Sequence, residues 1–223
     1  MFLFEKFSNS LAGRISSALN LDKDQEEVLA YGAFAVIHTV WSTFLVLIFG
    51  IVFDILLQAA IILCTAAILK KYSGGAHSTS PNRCAVMGVI IFGSLAMAVD
   101  KLDIYFSMIA VFVYAVLSFI FAYYIIYRYC PVDSPNKPIK KEETRRRLRK
   151  GAIRVAHILL GITIVLFIFY YEIDSANLLN IILSICTGLM WQAFMLTSPG
   201  NFLVATLDDF LRKITILIGG KGV

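Results

Sequence analysis

His77 and Cys84 form the one His–Cys couple placed in a polar stretch between two apolar runs, within Lys70-KYSGGAHSTSPNR-Cys84. A thiol attacks a carbonyl as its thiolate, and an unperturbed cysteine has a pKa of about 8.5. A neighbouring imidazole can take that proton, as in cysteine hydrolases and acyl transferases. The couple therefore offers nucleophilic chemistry on an acyl group, with His77 as base and Cys84 as nucleophile.

The flanking residues specify how such a couple is positioned. Ser80 suits a helix N-cap and Pro81 the first helical position, so Cys84 is expected in the first turn of a helix. The positive end of a helix dipole favours a thiolate there. Seven residues along one helix separate two groups by about 10.5 Å, whereas a catalytic hydrogen bond spans about 2.6–3.2 Å. His77 must then sit on a loop that folds back over the helix start. Gly74 and Gly75 give that loop its backbone freedom, and Ser78, Thr79 and Ser80 are small enough for a close approach. By spacing alone a second reading stands beside this one, in which His77 is an interfacial loop residue and Cys84 a packed or lipid-facing thiol.

The other cysteines add no framework. Cys64, Cys130 and Cys186 form no CxxC pair and no metal-ligand spacing with His38, His77 or His157. No metal or cofactor is indicated. Cys130 has no histidine near it in sequence, and His38 and His157 lie in or beside apolar runs, where helix–helix hydrogen bonds can satisfy a neutral imidazole.

These residues must be carried by a membrane protein. Of 223 residues, 59% are hydrophobic and 16% charged, whereas a soluble domain is nearer half apolar and a quarter charged. The apolar residues fall in six blocks, at 28–49, 51–69, 81–99, 104–127, 155–171 and 178–196. Each approaches the roughly 20 residues that span a bilayer. The second and third are the shortest continuous runs, so one of them is a candidate re-entrant segment. The expected fold is all-α and polytopic, with about six transmembrane helices.

Charge sets the orientation. The first, third and fifth connections contain Asp54, then Asp100, Lys101 and Asp103, then Glu172 and Asp174; the other 19 of the 20 Lys and Arg residues lie at the termini and around 70–83 and 128–154. This alternation is what the positive-inside rule predicts for a multi-pass cell-membrane protein with both termini in the cytoplasm and the His77–Cys84 loop at the cytoplasmic face. Early charges at Glu5 and Lys6 argue against a removable signal peptide. Residues 1–27 carry Phe4, Phe7, Leu11, Ile15 and Leu19 at three- and four-residue steps, which suits an amphipathic helix on the membrane surface or one packed on other segments. Residues 202–218 read as a second surface helix. The whole chain reads as one membrane-embedded domain, with a catalytic loop at 70–84 and a basic cytoplasmic loop at 128–154.

The basic stretch contains Lys137, Arg145, Arg146 and Arg147 and follows the proline-rich segment 131–138. Such charge sets topology and attracts anionic lipid headgroups. No aromatic or groove-reading pattern accompanies it, which excludes a nucleic-acid reader. The proline-rich segment is expected to form a turn close to the active loop.

At this point the residues resemble a known family. Gly74-Gly75-Ala76-His77 followed by Cys84 between two apolar spans is similar to the accessory gene regulator B (AgrB) family, membrane cysteine endopeptidases of Gram-positive quorum sensing. Asp133-Ser-Pro-Asn136-Lys137-Pro138-Ile139 resembles the family's segment before its basic loop. The resemblance implies that Cys84 is the nucleophile and His77 the general base and acid. The implied substrate is an AgrD-like precursor peptide, whose C-terminal tail is removed through a Cys84 thioester. The peptide's own Cys or Ser then closes a thiolactone or lactone ring. It also implies substrate-binding or supporting roles for Lys70, Lys71, Gly74, Gly75, Asn136, Lys137, Arg145, Arg146 and Arg147, and it makes a homodimer plausible. Where the family favours Arg before the Gly-Gly, this chain has Lys70 and Lys71, which lack a bidentate fork. The competing reading is a small transporter or peptide exporter. It has the six spans, but no paired interrupted half-repeats and no intramembrane chain of acids.

Overall fold

The computed structural model describes residues 2–75, 78–102, 107–133, 139, 141–173 and 175–219. These residues form α1 (Phe2–Leu19), α2 (Lys23–Val52), α3 (Leu56–Ser73), α4 (Pro81–Leu102), α5 (Met108–Tyr129), α6 (Glu142–Ile173), α7 (Ala176–Phe194) and α8 (Ser198–Gly219). The fold is all-α, as expected. Six helices, α2 to α7, are long and apolar enough to cross a membrane, so the protein is a multi-pass membrane protein. The two shortest apolar runs, second and third in order, are continuous helices of 18 and 22 residues.

Local signals account for the helix ends. Asp22 and Gln25 form a reciprocal capping box that opens α2. Asp54 does not lie within a span: α2 continues through Val52, Asp54 takes a φ of 56° in the turn, and α3 starts at Leu56. Aspartate is among the few non-glycine residues that adopt this conformation readily. The basic stretch is largely helix, because α6 begins at Glu142 and runs for 32 residues. A helix of that length is about 48 Å long, well beyond a hydrocarbon core of about 30 Å. Its charged first turns therefore extend out of the apolar span.

α7 packs against α3, α4, α5 and α6. Close approach to α3 requires Gly188, where a Cβ would lie 2.7 Å from the Ile62 carbonyl oxygen. Small residues that let backbones approach are the usual means of helix association in a bilayer. Hydrogen bonds join the spans: Tyr114 OH with Thr187 Oγ1 at 3.1 Å, and Gln58 Nε2 to Asp100 Oδ1 at 3.1 Å.

The two terminal helices share one design. In α1, Ser8, Ala12 and Ser16 are buried, and Phe4 packs on Trp41 of α2 with ring centroids 5.7 Å apart. Phe7 and Leu19 stay exposed, at 61% and 64%. The packing expected as one of the two readings of this segment is present: a small-residue face packs on protein, and a bulky apolar face points outward. α8 buries Val204 against Met87 and Met195 and leaves Phe202, Phe210 and Leu217 exposed.

Candidate active site

The ends of α3, α5 and α7, the starts of α4 and α6, and the middle of α8 meet at one end of the bundle. Cys84 occupies the first turn of α4, and its N–H donates to the Ser80 carbonyl at 2.9 Å. That bond is the first helical one and identifies Ser80 as the capping residue, with Pro81 as the first helical position. Cys84 is a free, partly exposed thiol. Lys70, in the last turn of α3, interacts electrostatically with it. Lys71 is exposed and lies over the Tyr72 ring at 5.7 Å.

His77 lies outside the described residues, as do Asn136 and Lys137. The chain on both sides of His77 is described and shows how the loop is held. Gly74 and Gly75 have φ of 71° and 125°, the left-handed region that only glycine enters at no steric cost. Gly74 forms a parallel bridge with Val132, and the Val132 N–H donates to the Ser73 carbonyl at 2.9 Å. A Cβ at Gly74 would sit 2.2 Å from the Val132 carbonyl oxygen. The start of the proline-rich segment is thus bonded directly to the loop that carries the candidate base, as the sequence suggested. From α7, the buried Gln192 donates to Ser73 Oγ at 3.0 Å and to the Gly74 carbonyl at 2.9 Å.

The start of α6 fastens the second loop. Arg145 pairs with both oxygens of Asp133 at 3.0 Å and reaches the Pro131 carbonyl at 3.4 Å, while Arg149 Nε donates to the Cys130 carbonyl at 2.8 Å. Arg145 is therefore engaged within the chain. Arg146 pairs with Glu142 one turn earlier, on an exposed face, and Arg147 is exposed. Cys130 is fully buried. Burial pushes its thiol up to about 11, against a smaller opposing pull from the Arg149 guanidinium. It is a poor nucleophile, in agreement with its isolation from histidine in sequence.

On the far side of the loop, Asp208 of α8 is 6% exposed. It accepts from the Ser78 and Thr79 hydroxyls and from Arg83 Nε at 2.8 Å. Burial alone would raise its pKa, but Arg83, Ser78 and Thr79 outweigh burial and hold the carboxyl well below the usual carboxylate range. His38 of α2 supports the same helix start by donating from Nε2 to the Pro81 carbonyl at 2.7 Å, the helix–helix hydrogen bond expected of it. His157 instead bonds the Ile153 carbonyl of its own helix at 2.8 Å.

Sequence reasoning missed Gln192 and Asp208 as partners of this loop. A signal existed for each. Gln192 interrupts an apolar span. Asp208 falls in register with Val204 and Leu211 on the apolar side of α8, where an acid requires a cationic or hydrogen-bonding partner.

A bundle of six helices long and apolar enough to cross a membrane, with a partly exposed thiol at a helix start and a braced glycine loop, defines a multi-pass membrane protein with a candidate nucleophile at one end. The chain belongs to the accessory gene regulator B family of quorum sensing, whose family model matches residues 8–196. It is 40% identical over 215 residues to an AgrB-like protein of Clostridium perfringens strain SM101, covering 95% of this chain and 100% of that one. AgrB-like protein 2 of C. perfringens strain 13 gives the same identity and coverage. AgrB-like protein 1 of that strain is 24% identical over 162 residues, covering 73% of this chain and 83% of its own. No solved structure matches the chain.

Proposed function

We propose that this protein is a membrane cysteine endopeptidase that cuts an AgrD-like precursor peptide and promotes its cyclisation. The observation that carries the reading is the position of Cys84: a free, partly exposed thiol in the first turn of α4. It is the setting in which a cysteine serves as a nucleophile.

In this mechanism Cys84 Sγ attacks a backbone carbonyl of the precursor while His77 takes the thiol proton. The C–N bond breaks, His77 delivers the proton to the departing amine, and the C-terminal tail leaves as a free peptide. The remaining peptide is held as a thioester on Cys84. A Cys or Ser side chain of that peptide then attacks the thioester, closes the ring and returns a proton through His77 to Cys84. The N–H of Cys84 is already bonded to Ser80, so oxyanion stabilisation falls to the first-turn N–H groups of Asn82 and Arg83, which precede the first helical bond. Exchange of one acyl sulfur bond for another is nearly neutral in energy, so exclusion of water from the thioester decides between ring closure and hydrolysis.

The site faces the cytoplasm in this reading, because the loops that build it carry most of the basic residues. The exposed Arg146 and Arg147 suit an acidic tail, and the outward apolar faces of α1 and α8 suit a lipid surface along which the peptide arrives. Processing of a precursor in membranes should disappear with Cys84→Ala and with His77→Ala at unchanged expression. Full processing by both variants would leave transport as the better reading.

A further inference from the structure

Asp208 lies beyond the residues that the family model matches, on the last helix of the chain. It nevertheless grips both ends of the segment that joins His77 to Cys84. Ser78, directly after His77, donates its hydroxyl to Oδ1. Thr79 donates its hydroxyl at 2.6 Å and its N–H at 3.4 Å to Oδ2. Arg83, directly before Cys84, donates from Nε to Oδ1 at 2.8 Å and from Nη2 to Oδ2 at 3.5 Å, and its Nη2 also reaches Thr79 Oγ1 at 2.6 Å. An ionised carboxylate has about four acceptor sites, and these donors saturate them.

The rest of α8 fixes where the carboxylate stands. Val204, Leu207 and Leu211 pack with Met87, Ile91 and Met195, so the helix is held against α4 one turn or more beyond Cys84. The neighbouring Asp209 behaves differently: it is exposed and pairs with Arg212 along its own helix at 3.0 Å. Two adjacent acids thus have separate duties, one at the surface and one inside the contact between α8 and the active loop.

We infer that Asp208 is a positioning residue for the proposed peptidase, which ties the segment after His77 to the first turn that carries Cys84 and so sets their mutual approach. The inference rests on the peptidase reading. It predicts that α8 belongs to the working unit although the chemistry lies on α4 and the segment that precedes it. Asparagine in place of Asp208 keeps the shape but has one acceptor oxygen and no charge, so it cannot hold Arg83 and both hydroxyls together.

The test uses the full-length protein in lipid vesicles with a precursor peptide, and expresses turnover per enzyme molecule able to form the Cys84 acyl adduct. This normalisation removes any loss of folded protein. Asp208→Asn should lower kcat at least tenfold with KM changed less than twofold, Asp208→Glu should recover part of the loss, and Asp209→Asn should match the unsubstituted protein. Asp208→Asn added to Arg83→Ala should cost little more than Arg83→Ala alone, because the two act through one contact. Amide exchange across 78–84 should accelerate in Asp208→Asn and not in Asp209→Asn. Unchanged turnover per competent enzyme would overturn the inference, and increased turnover would do so by making α8 an inhibitory latch. Cys84→Ala, run in parallel, reads the peptidase assignment separately: processing that survives there overturns both, whereas its loss beside a fully active Asp208→Asn overturns the positioning role alone.

Discussion

Gln192, in the middle of the bundle end, donates to the carbonyl oxygen of Gly74 at 2.9 Å. This bond connects the most buried span to the loop that precedes His77. Because the same amide also donates to Ser73 Oγ at 3.0 Å, both of its N–H groups are used. Gln192→Leu keeps the approximate volume, removes the donor to the buried Ser73 Oγ and leaves the Gly74 carbonyl only the longer 3.4 Å bond from Ser73 Oγ. The expected cost is about 1–3 kcal/mol, read as a lower thermal unfolding temperature in detergent, with a matching loss of processing.

Gly74→Ala should be more damaging than its size suggests. The new Cβ would meet the Val132 carbonyl oxygen at 2.2 Å, on a backbone with φ of 71°. Left-handed backbone at a non-glycine residue costs about 1–3 kcal/mol, and the clash adds to it. The two loops should separate, and protease sensitivity around residues 130–133 should rise while the six spans remain intact. Unchanged protease sensitivity together with full processing would show that the bridge between Gly74 and Val132 is dispensable.

The two cysteines at this end of the bundle, Cys84 and Cys130, should react in a fixed order. Cys84 is partly exposed in the first turn of α4, whereas Cys130 is fully buried and its thiol is pushed up to about 11. At pH 8 a thiol of that pKa is ionised to only on the order of one part in a thousand. A charged, membrane-impermeant maleimide should label Cys84 first and Cys130 only after denaturation, as read by peptide mass spectrometry. Cys130→Ala should retain processing. Early labelling of Cys130 would mean that the cysteine at the end of α5 is open to water.

Much of this arrangement is legible in the sequence, and for physical reasons. Six apolar blocks of bilayer length announce six helices, and Ser80-Pro81 announces a helix start that puts Cys84 in its first turn. The glycines at 74 and 75 announce a turn. The contacts that hold the turn are less visible. The bridge between Gly74 and Val132 is made by backbone atoms 58 positions apart, and no side-chain pattern encodes it. Arg145 reads as one more cation in a basic run, and only the fold distinguishes it, bound to Asp133, from the exposed Arg147. Asp208 is the intermediate case, since its place on an apolar face demands a partner but does not name Arg83.

The contact between Asp208 and Arg83 carries a definite pH dependence. The carboxyl is held below its ordinary value of 3.8. A group depressed on folding contributes stability that is fully present above its unfolded pKa and is lost as pH falls through the folded one. Between pH 8 and pH 5 the contact should therefore contribute without change, and its loss should begin only below about pH 4. Melting temperatures of the unsubstituted protein and Asp208→Asn should differ by a constant amount across the neutral range and converge in acid. Convergence already at pH 6 would contradict a depressed Asp208.

Arg145 and Arg147 should separate support from substrate capture. Arg145→Ala removes the contact of Nη2 with both oxygens of Asp133 and should lower stability. Arg147→Ala should leave stability unchanged and raise KM several-fold for a precursor with an acidic tail. An exposed charge acts through a screened field, so this rise should shrink as salt increases and the Debye length falls from about 10 Å at 0.1 M toward 3 Å at 1 M. A KM that ignores both Arg147 and salt would remove the basic face of α6 from substrate capture.

The most direct test of the account is the intact mass of the enzyme during turnover. Purified protein in lipid vesicles is mixed with a cognate precursor, quenched in acid at early times and weighed. The account predicts a transient species heavier by the precursor less its C-terminal tail, attached at Cys84, with one released tail per adduct, absent in Cys84→Ala and strongly reduced in His77→Ala. Precursor that binds without giving an adduct or a released tail, or cleavage that persists in Cys84→Ala, would contradict it.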